Sequence, residues 1–265
     1  MTFAVLALEA PGQTPGLTRP LLGLAVASCS LAVGHGVPAL DSRVGAIASQ
    51  AWTNRSLRSL VFAAIADGQP PEVALRAAMA DDDGRDYRQV AVLTLDGDTA
   101  THTGRQCTPW AGTRRRPGLL TAGNYLTGPE VLEAMVASFD EAGPELPPGR
   151  ETSFVELDGS HAARAVPAPV ARLAARLLRA LVAGQAAGGE RRGQQSAALM
   201  VAGGAGPLRG GPENDSVSDL DIDLRVDDAG APLAELHRLL GLRLWGTSDI
   251  ASDAWAALGD RSRRC

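Results

Sequence analysis

The stretch Thr2-Phe3-Ala4-Val5-Leu6-Ala7-Leu8 decides the fold, because it is an apolar run directly behind Met1. A short run of this kind, followed by the turn-forming residues 10–16, is typical of a buried β-strand. Threonine is small enough for methionine aminopeptidase to remove Met1, which would leave a hydroxyl and a free α-amine on one residue. That amine has an ordinary pKa of roughly 7.7–8.0 and can accept the hydroxyl proton near neutral pH. The sequence therefore indicates Thr2 as a candidate nucleophile that carries its own general base.

The composition excludes several classes of function. Hydrophobic residues make up 45% and charged residues 21% of the chain, as in an ordinary globular protein. The net charge of −5 argues against a general nucleic-acid surface. The triplet Arg114-Arg115-Arg116 is too short to change this and is expected to be a solvated loop, not an anion site. All 25 basic residues are arginine, which excludes a pyridoxal Schiff base, a lysine-bearing phosphate loop and any catalytic lysine.

The three cysteines show no metal-ligand spacing, and their odd number argues against a disulfide framework. Cys107 lacks an identifiable histidine partner and is interpreted as a small core residue. No run reaches the ~18 apolar residues of a membrane span, and the N-terminus lacks the basic region of a signal peptide. We therefore expect a cytoplasmic protein with no membrane partner and no cofactor.

The hydrophobic pattern groups strands with strands and helices with helices. This grouping favours an α+β fold over alternating βαβ units, and a four-layer αββα sandwich would satisfy it. Strands are predicted at residues 2–9, 21–28, 44–51, 87–95, 99–103, 119–122, 197–201 and 220–226, and helices at 57–66, 71–79, 129–139, 172–182 and 232–240.

Residues 1–245 are interpreted as one domain, and residues 246–265 as a C-terminal tail. The proline-rich segment 142–168 has no clear period and is expected to be an exposed loop or insertion. Edge strands of such sandwiches are often covered by a second copy, so a homodimer is an open possibility.

Several long segments, in this order, carry a family resemblance. They read GAIASQAWTN at 45–54, TGRQCTPWAG at 103–112, AGQAAGGERRG at 183–193 and DLRVDD at 223–228. Over about residues 1–240 the chain resembles a bacterial domain-of-unknown-function family (number ten-twenty-eight) assigned to the N-terminal-nucleophile (Ntn) hydrolase-like superfamily.

The resemblance implies the αββα fold and amide-bond hydrolysis by Thr2. Family members commonly begin Met-Thr-Phe or Met-Thr-Tyr, as this chain does. Cys29 departs from the family, which often has histidine after the serine that corresponds to Ser28. The departure removes an imidazole that would assist catalysis.

The strand ends supply further candidate site residues. Asn124 follows Gly123 and could present a backbone or side-chain N–H to an oxyanion; a turn or helix-entry cap is the alternative. Four residues at the end of a buried strand could line a substrate pocket beside Thr2, namely Gln50, Trp52, Thr53 and Asn54. A large buried packing anchor explains Trp52 equally well.

Trp110 is a further candidate substrate-binding residue. Arg191 and Arg192 could bind a substrate carboxylate bidentately, or could form a solvated turn between a helix and a strand. The aspartates between Asp215 and Asp228 lack the pattern of a calcium loop. A solvent-facing strand with Arg225 paired between carboxylates explains them, and no metal site is expected.

Two functions follow from these observations. The first is an amidohydrolase in which Thr2 cleaves a small amide or γ-glutamyl-like C–N bond, in a non-peptide or short peptide, through an acyl-enzyme. Its partner would be a small-molecule amide substrate. The alternative is a non-catalytic ligand-binding or assembly module on the same fold, which Cys29 and the segment 142–168 favour.

Overall fold

A computed structural model describes residues 2–12, 14, 17–141, 152–155, 161–164, 166–203 and 220–245 of the 265-residue chain. The predicted C-terminal tail, residues 246–265, lies outside the described residues, as does most of the segment 142–168.

The described residues form two main antiparallel sheets and a separate pair of short strands. A six-stranded sheet has the order β12-β11-β2-β1-β8-β7, a four-stranded sheet has the order β3-β4-β5-β6, and β9 pairs with β10. The strands are β1 Thr2–Glu9, β2 Leu21–Ser28, β3 Pro38–Asp41, β4 Gly45–Ala51, β5 Arg88–Thr94, β6 Thr99–Thr103, β7 Gly112–Arg116, β8 Leu119–Gly123, β9 Thr152–Val155, β10 His161–Arg164, β11 Ser196–Gly203 and β12 Leu220–Val226.

Six α-helices accompany the sheets in the described part of the chain. They are α1 Val33–Gly36, α2 Ser56–Ala66, α3 Pro71–Ala80, α4 Glu130–Asp140, α5 Ala168–Ala186 and α6 Pro232–Trp245. Pro71 opens α3, where its fixed φ suits the first turn and its missing N–H costs no hydrogen bond. The longest helix, α5, buries Leu173, Leu177 and Leu181 on one face, as the 3.6-residue period requires.

Alternate residues of β1 belong to different cores. Phe3 and Val5 pack with α4, α5 and α6 on one side of the six-stranded sheet. Ala4 and Leu6 pack against the four-stranded sheet on the other side. Because side chains alternate along a strand, Thr2 shares the inter-sheet side with Ala4 and Leu6.

Two other contacts complete the packing. On the outer face of the four-stranded sheet, Ile47 and Val92 pack against α2 and α3. Gly23 lies under α5, where a Cβ atom would collide with the side chain of Leu177. The absence of that Cβ lets the helix approach the sheet closely.

The α+β fold class is confirmed, and the predicted bounds of β1, β2, β6 and β12 match the structure. The short elements α1, β3, β9 and β10 were not predicted. β9 and β10 form a strand pair within the segment 142–168, where a loop was expected. α5 begins earlier and ends later than expected.

The expectation of a solvated loop at Arg114-Arg115-Arg116 is wrong, because these residues belong to β7. Arg114 pairs with Glu133 at 2.9 Å, and Arg116 pairs with Asp140, so carboxylates of α4 neutralise two of the three charges. β7 is an edge strand of the six-stranded sheet, and charged side chains there discourage pairing with another chain.

Candidate functional site

Four polar side chains form a row across the six-stranded sheet, at the edge where β1 begins. Ser196 lies opposite Ser28, and Ser28 lies opposite Thr2. Thr2 and Asn124 exchange backbone hydrogen bonds, with N–O distances of 3.4 Å from Thr2 and 3.0 Å from Asn124. All four residues are at most 3% exposed. By the alternation of side chains along each strand, all four lie on the side of the six-stranded sheet that faces the four-stranded sheet.

The Thr2 hydroxyl has a defined partner in this row. Its Oγ1 donates a 3.2 Å hydrogen bond to Oγ of Ser28. The next hydroxyl, on Ser196, donates to the carbonyl of Ser30 and accepts a 3.0 Å hydrogen bond from the N–H of Val33. The row therefore directs the Thr2 hydroxyl toward β2 and anchors the start of α1.

Three buried side-chain amides, which we call the amide cluster, meet between the two sheets: one belongs to the row and two come from the four-stranded sheet. They belong to Gln50, Gln89 and Asn124, and all are fully buried. Gln89 Oε1 accepts hydrogen bonds from Gln50 Nε2 at 2.8 Å and from Asn124 Nδ2 at 2.9 Å. Gln89 Nε2 donates to the carbonyl of Gly123 at 2.9 Å. The cluster thus connects β5 of one sheet with β8 of the other.

The orientation of each amide follows from the carbonyl groups around it. Gly112 and Gly123 present carbonyls that can only accept, so Gln89 must direct its NH₂ group at them. Its oxygen then faces Gln50 and Asn124, which must present NH₂ groups in turn. Gln50 Oε1 and Asn124 Oδ1 are left as buried acceptors without a partner among the described residues. A buried unpaired acceptor costs about 1–3 kcal/mol.

A charged pair borders the row beyond Ser28. The Glu190 carboxylate is buried; it accepts a 2.8 Å hydrogen bond from the N–H of Cys29 and pairs with Arg192 Nε. Burial works against the charge of Arg192, but the hydrogen bond and charge of Glu190 hold its pKa above the ordinary value. The guanidinium carbon of Arg192 lies 5.9 Å from the ring centroid of Tyr125. Arg192 is therefore a fixed cation beside the residue that follows Asn124.

Arg191 lies next to the same segment. Its backbone N–H donates to the carbonyl of Tyr125, and its Nε donates to the carbonyl of Leu126, both at 3.0 Å. The side chain is exposed. Arg191 thus lies beside the segment that follows Asn124, and Arg192 lies near both this segment and the residues that follow Ser28. Contact of either arginine with a substrate carboxylate stays a prediction.

Sequence comparison identifies the family of this chain. A family of unknown function, DUF1028, matches residues 2–236. The chain belongs to DUF1028. The crystal structure of a DUF1028 protein from Silicibacter pomeroyi is similar to it, with 28% sequence identity and a TM-score of 0.68. That likeness covers 99% of this chain and 94% of the other. No curated protein matches.

Four pocket residues were predicted at the end of β4 in this DUF1028 chain. Gln50, within the strand, joins the amide cluster, and the three residues that follow the strand do not. The buried-anchor interpretation of Trp52 is wrong, because 65% of this residue is exposed. Ala51 adopts a left-handed φ of 67°, and the residues that follow leave the sheet. Thr53 is exposed, and Asn54 Oδ1 accepts a 3.1 Å hydrogen bond from the N–H of Ser56 at the start of α2.

Trp52 lies on a firmly held backbone. Its N–H donates to the carbonyl of Tyr87 at 3.1 Å, and its carbonyl accepts a 2.6 Å hydrogen bond from Arg88 Nη1. Arg88 pairs in turn with Asp82 at 2.8 Å. The hydrogen bond from Arg88 is the main cause that lowers the pKa of Asp82 to about 2, against the opposing effect of burial.

Trp110 and Cys107 lie in the loop before β7. Trp110 is half-buried, exchanges backbone hydrogen bonds with Leu126 at 3.3 and 3.0 Å, and packs under the guanidinium of Arg114. Cys107 is buried, as predicted for a core residue, and burial raises the pKa of its thiol. A buried thiol with a raised pKa is a poor nucleophile.

The N–H groups of Asn124 are largely occupied. The backbone N–H donates to the carbonyl of Thr2, and one Nδ2 hydrogen goes to Gln89. The second Nδ2 hydrogen is the one group on this residue that could meet an oxyanion, so the predicted donor role depends on it.

Sequence reasoning did not single out Gln89, Ser28, Ser196 and Glu190. All four are buried to 2% exposure or less. Gln89, Ser28 and Ser196 lie at or beside the end of an apolar strand, whereas Glu190 lies in the connection between α5 and β11. A polar residue at the end of a buried strand needs a specific hydrogen-bond partner, and this position in the sequence could have indicated the strand-end residues.

The acidic strand β12 shows no metal arrangement. Asp223 forms two hydrogen bonds with Arg225, at 2.9 and 2.8 Å, as the alternating pattern predicted. Among the residues that the structure describes, no group of three or more His, Cys, Asp or Glu side chains could hold a metal ion. Within the same residues, no helix has both the length and the apolar character needed to cross a membrane.

Proposed function

We propose that this DUF1028 chain is a cytoplasmic Ntn amidohydrolase on a four-layer αββα sandwich, with Thr2 as the nucleophile after removal of Met1. The observation that carries the proposal is the position of Thr2. It begins a central strand of the six-stranded sheet, its hydroxyl faces the inter-sheet space, and that hydroxyl is hydrogen-bonded to Ser28. The helices that flank the two packed sheets support the sandwich assignment.

The chemistry would proceed through an acyl-enzyme. The α-amine of Thr2 takes the proton from Oγ1 as this oxygen attacks the carbonyl carbon of the amide. The resulting ammonium gives its proton to the leaving nitrogen as the C–N bond breaks, and the acyl group stays on Oγ1 as an ester. A water molecule then attacks the ester, gives a proton to the amine, and releases the acid with the proton returned to Oγ1. Because the chain has no lysine, the α-amine acts without a second ammonium group.

The surroundings of Thr2 suit a small amide that carries a carboxylate, such as a γ-glutamyl-like substrate. Arg192 is held in place by the buried carboxylate of Glu190, and Arg191 lies exposed beside it. Guanidinium groups recognise carboxylates through paired hydrogen bonds. The second Nδ2 hydrogen of Asn124 would donate to the oxyanion.

The test is the mass of the N-terminal peptide before and after treatment with a β-lactone electrophile. We expect Met1 to be absent and Thr2 to be acylated in the native protein but not after denaturation. Thr2→Ala should abolish acylation while the protein stays folded, and Thr99→Ala, a matched change away from the row, should leave acylation unchanged. Retention of Met1, or full acylation of the Thr2→Ala variant, would reject the nucleophile and favour the ligand-binding or assembly module.

A further inference from the structure

We propose that Oδ1 of Asn124 accepts a hydrogen bond from the α-amine of Thr2 once Met1 has been removed. Asn124 would then be a positioning residue that fixes the direction of the general base. The inference rests on the proposed function. It assigns to Asn124 Oδ1 the role of hydrogen-bond acceptor for the α-amine that serves as general base.

The first observation is the unpaired oxygen itself. Asn124 is fully buried, and its amide cannot turn over, because Gln89 offers an acceptor to Nδ2 at 2.9 Å. Oδ1 has no partner among the described residues. Buried polar atoms in folded proteins are nearly always hydrogen-bonded, so an acceptor held in this orientation indicates a missing donor.

The second observation is the position of Asn124 relative to Thr2. The nitrogen of Thr2 is 3.4 Å from the backbone carbonyl of Asn124. Directly opposed residues of an antiparallel pair have Cβ atoms about 4.5–5.5 Å apart. The side chains of Thr2 and Asn124 lie on the same side of the six-stranded sheet, facing the four-stranded sheet. Ser28 flanks Thr2 on one side and receives its hydroxyl. Asn124 flanks it on the other side, where its backbone carbonyl already accepts a hydrogen bond from the nitrogen of Thr2.

The third step is the change in donors when Met1 is removed. A backbone amide has one N–H, whereas an amine has two and an ammonium has three. The carbonyl of Asn124 takes one of them, and each remaining N–H in a buried position requires another acceptor. Oδ1 supplies it on the same residue.

The chemical nature of this acceptor suits a general base. A carboxylate would favour the charged ammonium and hold the proton on the nitrogen. A neutral amide oxygen accepts from the amine and from the ammonium, so it can orient the nitrogen in both protonation states.

The experiment measures proton binding by the α-amine directly. The chain is produced as a fusion whose protease leaves Thr2 as the first residue, so natural removal of Met1 is not needed. Because the chain has no lysine, the α-amine is its single primary amine. The pH dependence of amide formation with a soluble anhydride, followed on the N-terminal peptide, therefore reports on that nitrogen alone.

The decisive variant is Asn124→Asp, and the matched control is Gln50→Glu, which makes the same change at the other unpaired oxygen of the amide cluster. We expect Asn124→Asp to strengthen proton binding by the amine at least tenfold, which is one pH unit, and Gln50→Glu to change it less than threefold. Equal shifts, or no shift in Asn124→Asp, would overturn the inference.

A second pair covers the case in which the aspartate variant fails to fold. Asn124→Ala removes the acceptor and should weaken proton binding by the amine, whereas Gln50→Ala should leave it unchanged. An unchanged amine in Asn124→Ala would contradict the inference. If Met1 is retained in the native chain, the proposed function fails while this measurement still stands. If Thr2 is the nucleophile but substitution of Asn124 does not change proton binding by the amine, the inference alone fails.

Discussion

Oε1 of Gln89 lies 2.9 Å from Nδ2 of Asn124, and this hydrogen bond joins the four-stranded sheet to the six-stranded sheet. Between the two sheets the packing is otherwise aliphatic over most of its extent. A polar contact in such surroundings is worth more than one at the surface, since its groups have no water to replace a lost partner. Gln89 therefore helps to hold the two sheets together at the strand ends beside Thr2.

Replacing Gln89 by methionine should be strongly destabilising. The side chain keeps its approximate size, but two side-chain NH₂ groups and the carbonyl of Gly123 lose their partner. At about 1–3 kcal/mol for an unsatisfied buried group, we expect the free energy of unfolding to fall by about 3 kcal/mol. Urea denaturation measures it, with Gln69→Met, an exposed position, as the control that should stay within about 0.5 kcal/mol of the parent. A loss below about 1 kcal/mol in Gln89→Met would contradict the structural role.

Replacing Ser28 by alanine should slow the chemistry at Thr2. The Thr2 hydroxyl loses the hydrogen bond that fixes the position of Oγ1, so in the proposed reaction this oxygen is less often aligned for attack on the substrate carbonyl. One such hydrogen bond corresponds to about a tenfold change in rate. The rate of acylation by a β-lactone should therefore fall about tenfold, while Ser59→Ala on the exposed face of α2 leaves it unchanged. An equal rate in Ser28→Ala and the parent would show that this contact does not assist the nucleophile.

The ion pair of Asp82 and Arg88 should make stability depend on acid pH. The pKa of Asp82 falls from 3.8 to about 2 on folding, so the stabilisation is fully present above pH 3.8 and is lost as the pH falls through about 2. The difference corresponds to about 2 kcal/mol. Asp82→Asn should therefore have a lower free energy of unfolding than the parent at pH 7, and the gap should narrow toward pH 2.

Denaturant unfolding at several pH values between 7 and 2 measures this gap. The control is Asp67→Asn, at an exposed position after α2, which should stay within about 0.5 kcal/mol of the parent. A gap for Asp82→Asn that stays constant with pH would contradict the titration of this carboxylate.

The fold could be predicted from the sequence where local pattern and tertiary position agree. β1 and β2 are apolar runs bounded by turn residues, and both are central strands that bury both faces. At Arg114-Arg115-Arg116 the local pattern gave the wrong answer, since three consecutive arginines carry no alternation. Their strand depends on carboxylates of α4, which lie about 20 residues further along the chain.

The candidate site could be predicted only in part. Thr2 and Asn124 follow from their positions at strand ends, whereas Gln89 is recognisable only when the two sheets are packed together. For Trp52 the sequence pattern led to a wrong expectation instead of none. Its size suggested a buried anchor, but the left-handed turn at Ala51 that precedes the exposed tryptophan has no sequence signal, because alanine rarely adopts that conformation.

The order of strands in the six-stranded sheet also bears on when the site can form during folding. The row lies on adjacent strands that come from the beginning, the middle and the later part of the chain. In spatial order its residues are Ser196, Ser28, Thr2 and Asn124. Contacts between residues so far apart close long loops, and such contacts form slowly. No contiguous fragment of the chain that stops short of β11 contains the whole row. The strand that completes the surroundings of Thr2 is therefore synthesised well after Thr2 itself.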